Sequence, residues 1–273
     1  MRHSFTAALA AIQGSRHHQE DAAALWPGPA TPGAHLEREP EDGMLVAVLA
    51  DGMGGHAGGA KASRTVCVNF LGAFAKEAAP VRERLRTGMT TANHAVGQEA
   101  EADHSLNGMG STLVGAAFGS DGLEWVSVGD SPLYLWRRGE IALLNEDHSL
   151  APLLDELARA GRITPEQART DSRRHMLRSA VTGDEIELVD LAKHPLELFG
   201  GDHIVLASDG IHTLDQTEIA RIVAAYAQDG PRAIAAALVR SVENLRDPHQ
   251  DNCTVVVVRV DDAAAPPPPV EIG

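Results

Sequence analysis

The chain is divided into short apolar runs, several of which lie too close together for a helix to connect them. Runs typical of strands cover 112–118 and 123–128, and only the turn Gly119–Gly122 separates them. Strands joined by so short a turn must pair antiparallel, because a parallel pair needs a crossover of about a dozen residues or more. The same pattern predicts a strand at the N-terminus and strands over 44–50, 132–137, 141–144, 186–191, 203–207 and 253–260.

Apolar residues with helical spacing occupy several of the gaps between these runs. In 215–227 they recur behind a capping-box pattern formed by Asp215 and Glu218. The segments 85–96 and 231–245 carry apolar faces of the same kind. Because each such face must cover a sheet, the pattern predicts a layered α+β domain, but it does not determine the strand order.

The 273 residues, 44% of them apolar, suffice for one folded domain. We expect this domain over 1–261, because no linker divides it. The proline- and glycine-containing segment 27–42 predicts a surface loop. Four consecutive prolines near the end predict that 262–273 is a disordered tail.

Charge and composition exclude several classes of function. Acidic residues outnumber basic ones by 38 to 23, and the formal net charge of −15 argues against general binding to nucleic acid or to a membrane surface. No apolar stretch approaches the roughly 20 residues of a membrane helix, and the first residues lack a convincing signal-peptide cleavage site. Cys67 and Cys253 form neither a disulfide framework nor a zinc quartet. We expect a cytoplasmic monomer.

Carboxylates stand at the ends of the apolar runs. Asp51, Asp130 and Asp209 occur in VLADGMGG, SVGDS and VLASDG, and Asp251 adjoins the last run. A buried carboxylate costs desolvation free energy unless a positive charge meets it, so converging carboxylates would form a site for hard cations. An oxygen-only donor set indicates Mg²⁺ or Mn²⁺ rather than Zn²⁺. One Asp before Gly is commonly a turn former, but four in the same setting favour the metal site.

Arg16 precedes the acidic pair Glu20 and Asp21 in SRHHQEDAAA. A guanidinium fork matches two phosphate oxygens, and beside a metal cluster it would hold a phosphoryl group for attack. A surface salt bridge from Arg16 to Glu20 or Asp21 fits the sequence equally well.

Seven motifs occur in a familiar order: RHHQEDA, ADGMGGHAGGAKAS, GSTL, VGDS, EDHS, ASDG and DNCT. They resemble the ordered motif set of the metal-dependent serine/threonine protein phosphatases, the protein phosphatase 2C class, in its bacterial form. The match runs from about residue 4 to residue 260. The resemblance implies a four-layer αββα sandwich, in which two antiparallel sheets are flanked by helix pairs. It also implies a flap at about 150–183.

The resemblance further implies a role for each matched acidic position. Asp51 would bridge two Mn²⁺ or Mg²⁺ ions, and the Gly52 carbonyl would join the first ion. Asp209 and Asp251 would bind the second ion. Asp130 matches the Asp that holds a third, weaker ion in many bacterial members.

The remaining matched residues surround that metal centre. Glu20 and Asp21 match an acidic pair that binds metal or metal-bound water, and Arg16 matches the arginine that binds substrate phosphate. Asn252 and Thr182–Gly183 match motif positions with a supporting role.

Two histidines lie in the motifs. His56, in GGHAGG, is a candidate general acid, although a histidine at a helix start is also a common structural element. His148, in EDHS, is interpreted as structural.

The chain departs from the family pattern at several positions. Pro132 replaces the customary arginine of GDSR, Gln19 replaces an Asn, and Ala60 replaces an acidic residue. None of these changes removes a predicted metal ligand. The flap stretch RHMLRSAVTG also differs from the common form, so substrate choice is expected to differ.

The function implied is hydrolysis of phosphoserine and phosphothreonine on proteins by a hydroxide held between two ions roughly 3.5–4 Å apart, without a phospho-enzyme. Such an enzyme would oppose a serine/threonine kinase in bacterial signalling. A phosphoprotein-binding or scaffold domain with weak catalysis is a second class, which the presence of Asp51, Asp209 and Asp251 disfavours. A two-metal nuclease or small-phosphoester hydrolase is a third class, whose basic groove is hard to reconcile with the charge of −15.

Overall fold

The computed structural model describes residues 3–27, 35–36, 43–54 and 57–262. The strands are β1 (His3–Ile12), β2 (Ala22–Trp26), β3 (His35–Leu36), β4 (Leu45–Ala50), β5 (Gly52–Met53), β6 (Gly110–Ser111), β7 (Leu113–Gly119), β8 (Gly122–Val128), β9 (Leu133–Arg137), β10 (Glu140–Leu143), β11 (Asp190–Leu191), β12 (His203–Ala207) and β13 (Cys253–Asp262). The α-helices are α1 (Ala57–Lys76), α2 (Val81–Ala102), α3 (Ala151–Arg159), α4 (Pro165–Thr170), α5 (Gln216–Tyr226) and α6 (Pro231–Asn244).

The strands form two main sheets. One sheet has six strands in the order β10-β9-β12-β13-β1-β3, and the other has five in the order β11-β8-β7-β4-β2. A short pair, β5 with β6, stands apart from both. All recorded neighbours pair antiparallel, which confirms the predicted sheet type and supplies the strand order.

Two short turns join neighbouring strands in antiparallel hairpins, and one of them is the predicted turn Gly119–Gly122. Gly119 pairs with Gly122 across the turn from β7 to β8. Arg138 and Gly139 join β9 to β10, and both have positive φ, 51° and 91°. Two such residues in succession suit a tight hairpin turn whose twist matches that of the strands.

Alternate residues of the central strands face two different cores. In β4, Leu45 and Leu49 lie in the core between the two sheets, whereas Val46 and Val48 lie in the core beneath α1 and α2. Successive side chains of a strand point to opposite faces, so a strand inside a four-layer stack is buried on both sides. The unbroken apolar run 44–50 is the sequence sign of that position.

A helix pair covers the outer face of each sheet. Val66 and Leu85 join α1 and α2 to the five-stranded sheet, and Ile219 and Leu238 join α5 and α6 to the six-stranded sheet. The fold is therefore the expected four-layer αββα sandwich. Among the described residues, each helix falls short of the combination of length and apolar content that a membrane span needs.

The predicted helices are present with somewhat different ends. The segments 85–96, 215–227 and 231–245 correspond to α2, α5 and α6. The Asp215 side chain accepts a hydrogen bond from the Glu218 backbone N–H at 2.8 Å, which caps α5 as predicted.

The predicted strand over 186–191 is wrong in its first part, because only Asp190–Leu191 pairs with β8. The backbone N–H and carbonyl of Leu188 are instead bonded to the Ser179 hydroxyl, at 3.1 and 2.9 Å. A side chain thus satisfies backbone groups that a sheet would otherwise have paired.

Three helices were not indicated by the sequence patterns. The motif GGHAGGAKAS at the start of α1 was interpreted only for its chemistry, although Val66, Phe70 and Phe74 recur at every fourth residue behind it. The short helices α3 and α4 lie in the segment 150–183 and carry few buried residues. Both helices are short, with nine and six residues, so an apolar pattern has few turns over which to repeat.

Two predicted segments lie largely outside the described residues. Of the predicted surface loop 27–42, His35–Leu36 forms β3 at the edge of the six-stranded sheet. Of the predicted tail, Asp262 ends β13 opposite His3, and 263–273 are not described.

Gly115 of β7 permits Phe70 of α1 to reach the sheet. A Cβ built on Gly115 would lie 2.2 Å from the Phe70 Cζ atom, so Gly115→Ala should lower the free energy of unfolding by about 1–3 kcal/mol. The control is Gly119→Ala in the same strand, where the nearest atom, Met44 Cε, is 3.7 Å away. Urea unfolding of both variants measures the difference. Equal stabilities would contradict the tight contact.

Candidate active site

The predicted site residues gather around a cavity of about 940 Å³. The six of them that line it are Arg16, Glu20, Asp51, Gly52, Asp209 and Asp251. Two others, Asp21 and Asp130, are not among its lining residues but interact electrostatically with Asp209. The predicted catalytic candidate His56 lies outside the described residues.

Asp51 follows β4 and is held by three hydrogen bonds from the GSTL motif. Its N–H donates to Thr112 Oγ1 at 2.9 Å, and its carbonyl accepts from the Thr112 N–H at 2.8 Å and from Ser111 Oγ at 2.9 Å. Thr112 Oγ1 also bonds to Ser131 Oγ of the GDS motif at 2.8 Å. These buried hydroxyls fix the backbone that carries the Asp51 carboxyl group.

The Gly52 carbonyl and the Glu20 carboxylate approach each other at the start of α1. A Cβ on Gly59 would lie 2.6 Å from Glu20 Oε2 and 2.9 Å from the Gly52 oxygen, and a Cβ on Gly52 would lie 2.1 Å from the Gly59 carbonyl oxygen. The two glycines therefore make room for two oxygen donors that the sequence predicted as part of the site.

Asp21 is the most deeply buried acid of the site, with 8% of its surface exposed. Its Oδ2 accepts a 2.7 Å hydrogen bond from Ser208 Oγ, while its Oδ1 has no hydrogen-bond partner among the described residues. Burial raises the pKa of this carboxyl group to about 7, and the charges of Asp209 and Asp251 add to the rise. Among the described residues, the charges that act most strongly on this group are those of other carboxylates.

At the other acids of the site, burial opposes the charged form in the same way. Burial raises the pKa of Asp51 well above its ordinary value, and the charges of Asp21 and Asp209 raise it further. Burial and the charge of Asp251 raise the pKa of Asp209, whose Oδ1 is also without a partner in the described part of the chain. Burial raises the pKa of Asp130 to about 7.

Arg16 forms an ion pair with Asp251. The salt bridge to Glu20 or Asp21 that the sequence also allowed is therefore not the one observed. The Arg16 side chain is 59% exposed and lines the cavity, so it remains accessible to an anion in solution. Its partner is 235 residues away along the chain.

Asn252 supports the loop that carries Arg16 and Glu20. Its side-chain oxygen accepts from the Glu20 N–H at 2.7 Å, and its side-chain nitrogen donates to the carbonyls of Gln13 and His18 at 2.7 and 3.0 Å. This geometry is consistent with the supporting role implied for Asn252.

Several positioning hydroxyls were not identified as such from the sequence. Ser208, which binds Asp21, also accepts from the Thr254 N–H at 2.9 Å, and Ser131 bonds to the Thr112 that holds Asp51. Their only sequence signal is a place beside the acids in ASDG, DNCT and VGDS. Hydroxyl donors at such positions are the groups that buried carboxylates require.

The donor chemistry fits a hard divalent cation. The candidate ligands are carboxylate and carbonyl oxygens, and two buried carboxylate oxygens lack partners within the described ranges. As the described side chains are placed, no group of three or more His, Cys, Asp or Glu residues is arranged to hold a metal ion. Mg²⁺ usually keeps several water ligands, so a complete shell of protein ligands is not required.

The remaining motif residues have other surroundings. His148 is buried, and its Nδ1 accepts from the Gly129 N–H at 3.2 Å; burial lowers its pKa. Pro132 precedes β9, and its carbonyl accepts from the Ala207 N–H at 3.1 Å.

Both cysteines are buried. Burial raises the pKa of the Cys67 thiol to about 12, and it also raises the pKa of the Cys253 thiol. Neither thiol is suited to act as a nucleophile.

The fold and this acidic site agree with the comparison with known families. Residues 34–247 match the family described as Protein phosphatase 2C. The chain therefore belongs to the protein phosphatase 2C family.

Curated relatives are bacterial serine/threonine phosphatases. The chain is 34% identical over 225 residues to the serine/threonine protein phosphatase PstP of Mycobacterium tuberculosis, an alignment that covers 81% of this chain and 41% of PstP. It is 32% identical over 215 residues to the serine/threonine phosphatase stp of Listeria monocytogenes, covering 76% of this chain and 78% of the relative. The chain thus spans about two fifths of the length of PstP.

Solved structures show the same fold. The crystal structure of the Mycobacterium tuberculosis serine/threonine phosphatase PstP/Ppp superposes with a TM-score of 0.74 at 27% identity, covering 95% of this chain and 100% of that one. The catalytic domain of PstP in complex with two manganese ions gives a TM-score of 0.72 at 28% identity, with coverage of 95% and 100%.

The raised pKa of Asp21 predicts that the metal-free protein is less stable at alkaline pH. The unfolded carboxyl group titrates near 3.8 and the folded one near 7, so the charged form is disfavoured in the folded state. The cost of folding with this group charged is absent below pH 3.8, grows between the two values, and is fully present above pH 7.

In EDTA, Asp21→Asn should therefore unfold at higher temperature than the wild type at pH 8. Its advantage in unfolding free energy should exceed that at pH 5 by about 2 kcal/mol. Asp229→Asn, at an exposed carboxylate, is the control and should show no such gain. If wild type and Asp21→Asn differ in stability by the same amount at pH 5 and at pH 8, the raised pKa of Asp21 is contradicted.

Proposed function

We propose that this chain hydrolyses phosphoserine and phosphothreonine on proteins, using Mn²⁺ or Mg²⁺, and that it opposes a serine/threonine kinase in bacterial signalling. The observation that supports this most directly is the set of buried carboxylates around one cavity, with Arg16 on its wall. The acids repel one another in the absence of a cation, and the arginine offers a planar fork for phosphate. Family membership supports the same reaction class.

The metal centre would be held by oxygen donors. Asp51 would bridge two ions, the Gly52 carbonyl would bind the first ion, and Asp209 and Asp251 would bind the second ion. Glu20 and Asp21 would bind metal or its water ligands, and Asp130 would hold a third, weaker ion. Two ions bound there would supply a hydroxide nucleophile between them and would neutralise charge on the phosphoryl oxygens.

The chain's own residues would position the reactants. Asp51 is held by the Ser111 and Thr112 hydroxyls, so its carboxyl group has a fixed place at the end of β4. Arg16 would exchange its contact with Asp251 for the phosphate of the substrate, and Asn252 would keep the Arg16 loop in place. Such fixed positions lower the entropy that is lost on reaching the transition state.

Direct attack on phosphorus would make a covalent phospho-enzyme unnecessary. Both cysteines of the sequence are buried with raised thiol pKa, which supports a route without a cysteine nucleophile. His56 as general acid stays a prediction. We further propose that the protein acts as a cytoplasmic monomer and that the segment 150–183 is a flap that contacts protein substrates; His175 to Ala180 line the cavity.

Release of phosphate from a phosphothreonine peptide tests the proposed function. The protein should be active with Mn²⁺ and inactive with EDTA, and Asp209→Asn should lower kcat by about 10² to 10⁴-fold because the carboxylate charge is lost. Asp229→Asn, at an exposed residue that does not line the cavity, should retain full activity. No activity in folded, Mn²⁺-loaded wild type would refute the proposal and favour a phosphoprotein-binding domain.

Arg16→Ala tests the phosphate contact separately. Loss of a charge-assisted fork should lower kcat/KM for the peptide by about 10- to 100-fold. Arg259→Ala is the matched control, because Arg259 also pairs with a carboxylate, that of Asp261, but lies outside both the segment 150–183 and the cavity lining. Equal kcat/KM values for Arg16→Ala and Arg259→Ala would exclude Arg16 from phosphate binding.

A further inference from the structure

One wall of the active-site cavity is formed by a single stretch of chain, residues 175–187, which we term the cavity wall. At its first end, the Met176 carbonyl accepts from the Leu150 N–H at 3.0 Å, and the Arg178 N–H donates to the His148 carbonyl at 2.8 Å. These bonds fix the beginning of the wall to the segment that leads out of β10.

Further along the wall, Val181 and Ser111 form a reciprocal pair of backbone bonds. The Ser111 N–H donates to the Val181 carbonyl at 3.0 Å, and the Val181 N–H donates to the Ser111 carbonyl at 2.8 Å. The Ser111 hydroxyl bonds to the Asp51 carbonyl. The wall therefore adjoins the backbone that carries the central acid of the site.

Asn93 of α2 binds the next three residues of the wall. Its side-chain oxygen accepts from the N–H groups of Thr182 and Gly183, at 3.1 and 3.0 Å, and its side-chain nitrogen donates to the Asp184 carbonyl at 2.8 Å. One amide side chain thus forms hydrogen bonds with backbone groups of three consecutive residues about 90 positions away in the sequence. This arrangement holds the wall against a helix of the outer layer.

A contact between glycines brings the two segments close enough for these bonds. A Cβ on Gly97 would lie 2.9 Å from the Gly183 Cα atom, and a Cβ on Gly183 would lie 2.4 Å from the Gly97 Cα atom. Gly183 also has a positive φ of 98°. Neither residue can carry a larger side chain unless the wall moves away from α2.

We infer that Asn93 is a positioning residue, which together with the Gly97 contact sets the cavity wall at the distance a phosphopeptide requires. The inference rests on the proposed function. Asn93 does not line the cavity, so it would act through Thr182 and Asp184, which do. A peptide substrate spans the cavity and meets the wall, whereas a small aryl phosphate needs only the metal centre and Arg16.

Kinetics with two substrates test this role. Asn93→Leu removes all three bonds at similar volume, and KM for a phosphothreonine peptide should rise about three- to tenfold. For p-nitrophenyl phosphate, kcat and KM should stay within about twofold of wild type. Asn93→Asp keeps the accepting oxygens and should partly restore the peptide KM. All assays use the full chain loaded with Mn²⁺.

Matched variants control for general damage to the helices. Asn69→Leu is the control for Asn93→Leu, because Asn69 is also half-buried in a helix but its side-chain nitrogen donates within its own helix, to the Thr65 carbonyl. Gly97→Ala should raise the peptide KM in the same way, and its control is Gly72→Ala, where a new Cβ would have no atom within 4 Å. The two controls should keep the wild-type KM.

Hydrogen exchange tests the anchoring without any need for catalysis. The Thr182 and Gly183 amides should exchange at least about tenfold faster in Asn93→Leu than in Asn69→Leu. Equal exchange rates would overturn the anchor, and faster exchange with an unchanged peptide KM would overturn its role in substrate positioning. An inactive wild type would instead refute the proposed function, and the exchange comparison would still decide whether Asn93 holds the wall.

Discussion

Repulsion among buried carboxylates is the interaction on which the rest of the site depends. Burial raises the pKa of Asp21, Asp51 and Asp209, and the charges of neighbouring carboxylates raise each of them further. Burying these groups together lowers the stability of the fold unless a cation compensates their charge. The conflict is the expected condition of a cation site before its cation is bound, because the charges that oppose folding are those that attract a metal. Function here has a direct cost in the stability of the metal-free chain.

The sandwich supplies the rigidity that such a site needs. Strands β4, β12 and β13 are buried on both faces, so the residues at their ends have little freedom to move away from one another. Asp51 and Asp209 follow two of these strands, and Asp251 precedes the third. Hydroxyls from Thr112 and Ser208 then fix the acidic segments locally. The two sheets thus set where the carboxyl groups lie, and short hydrogen bonds set how they are oriented.

The outer helices contribute to the site as well as to the core. The helix α2 buries Leu85, Ala92 and Val96 against the five-stranded sheet, while its residue Asn93 binds the cavity wall. A helix that packs on a rigid sheet through one face can firmly support a loop that is bonded to another face of the same helix. The chain therefore links the cavity wall to the same layers that position the acids.

The sequence by itself determined those features that depend only on residues close together in the chain. Two-residue turns dictated the antiparallel hairpins, uninterrupted apolar runs such as 44–50 marked strands buried on both faces, and acids after those runs marked the chemistry. Tertiary structure decided the partners. Ser179, and not a neighbouring strand, bonds to Leu188; Arg16 pairs with Asp251 and not with its neighbour Glu20; Asn93 binds residues about 90 positions away. Side chains at such separations meet only once the layers have packed, because the free energy that brings them together comes from burial of the whole core and not from the residues beside them.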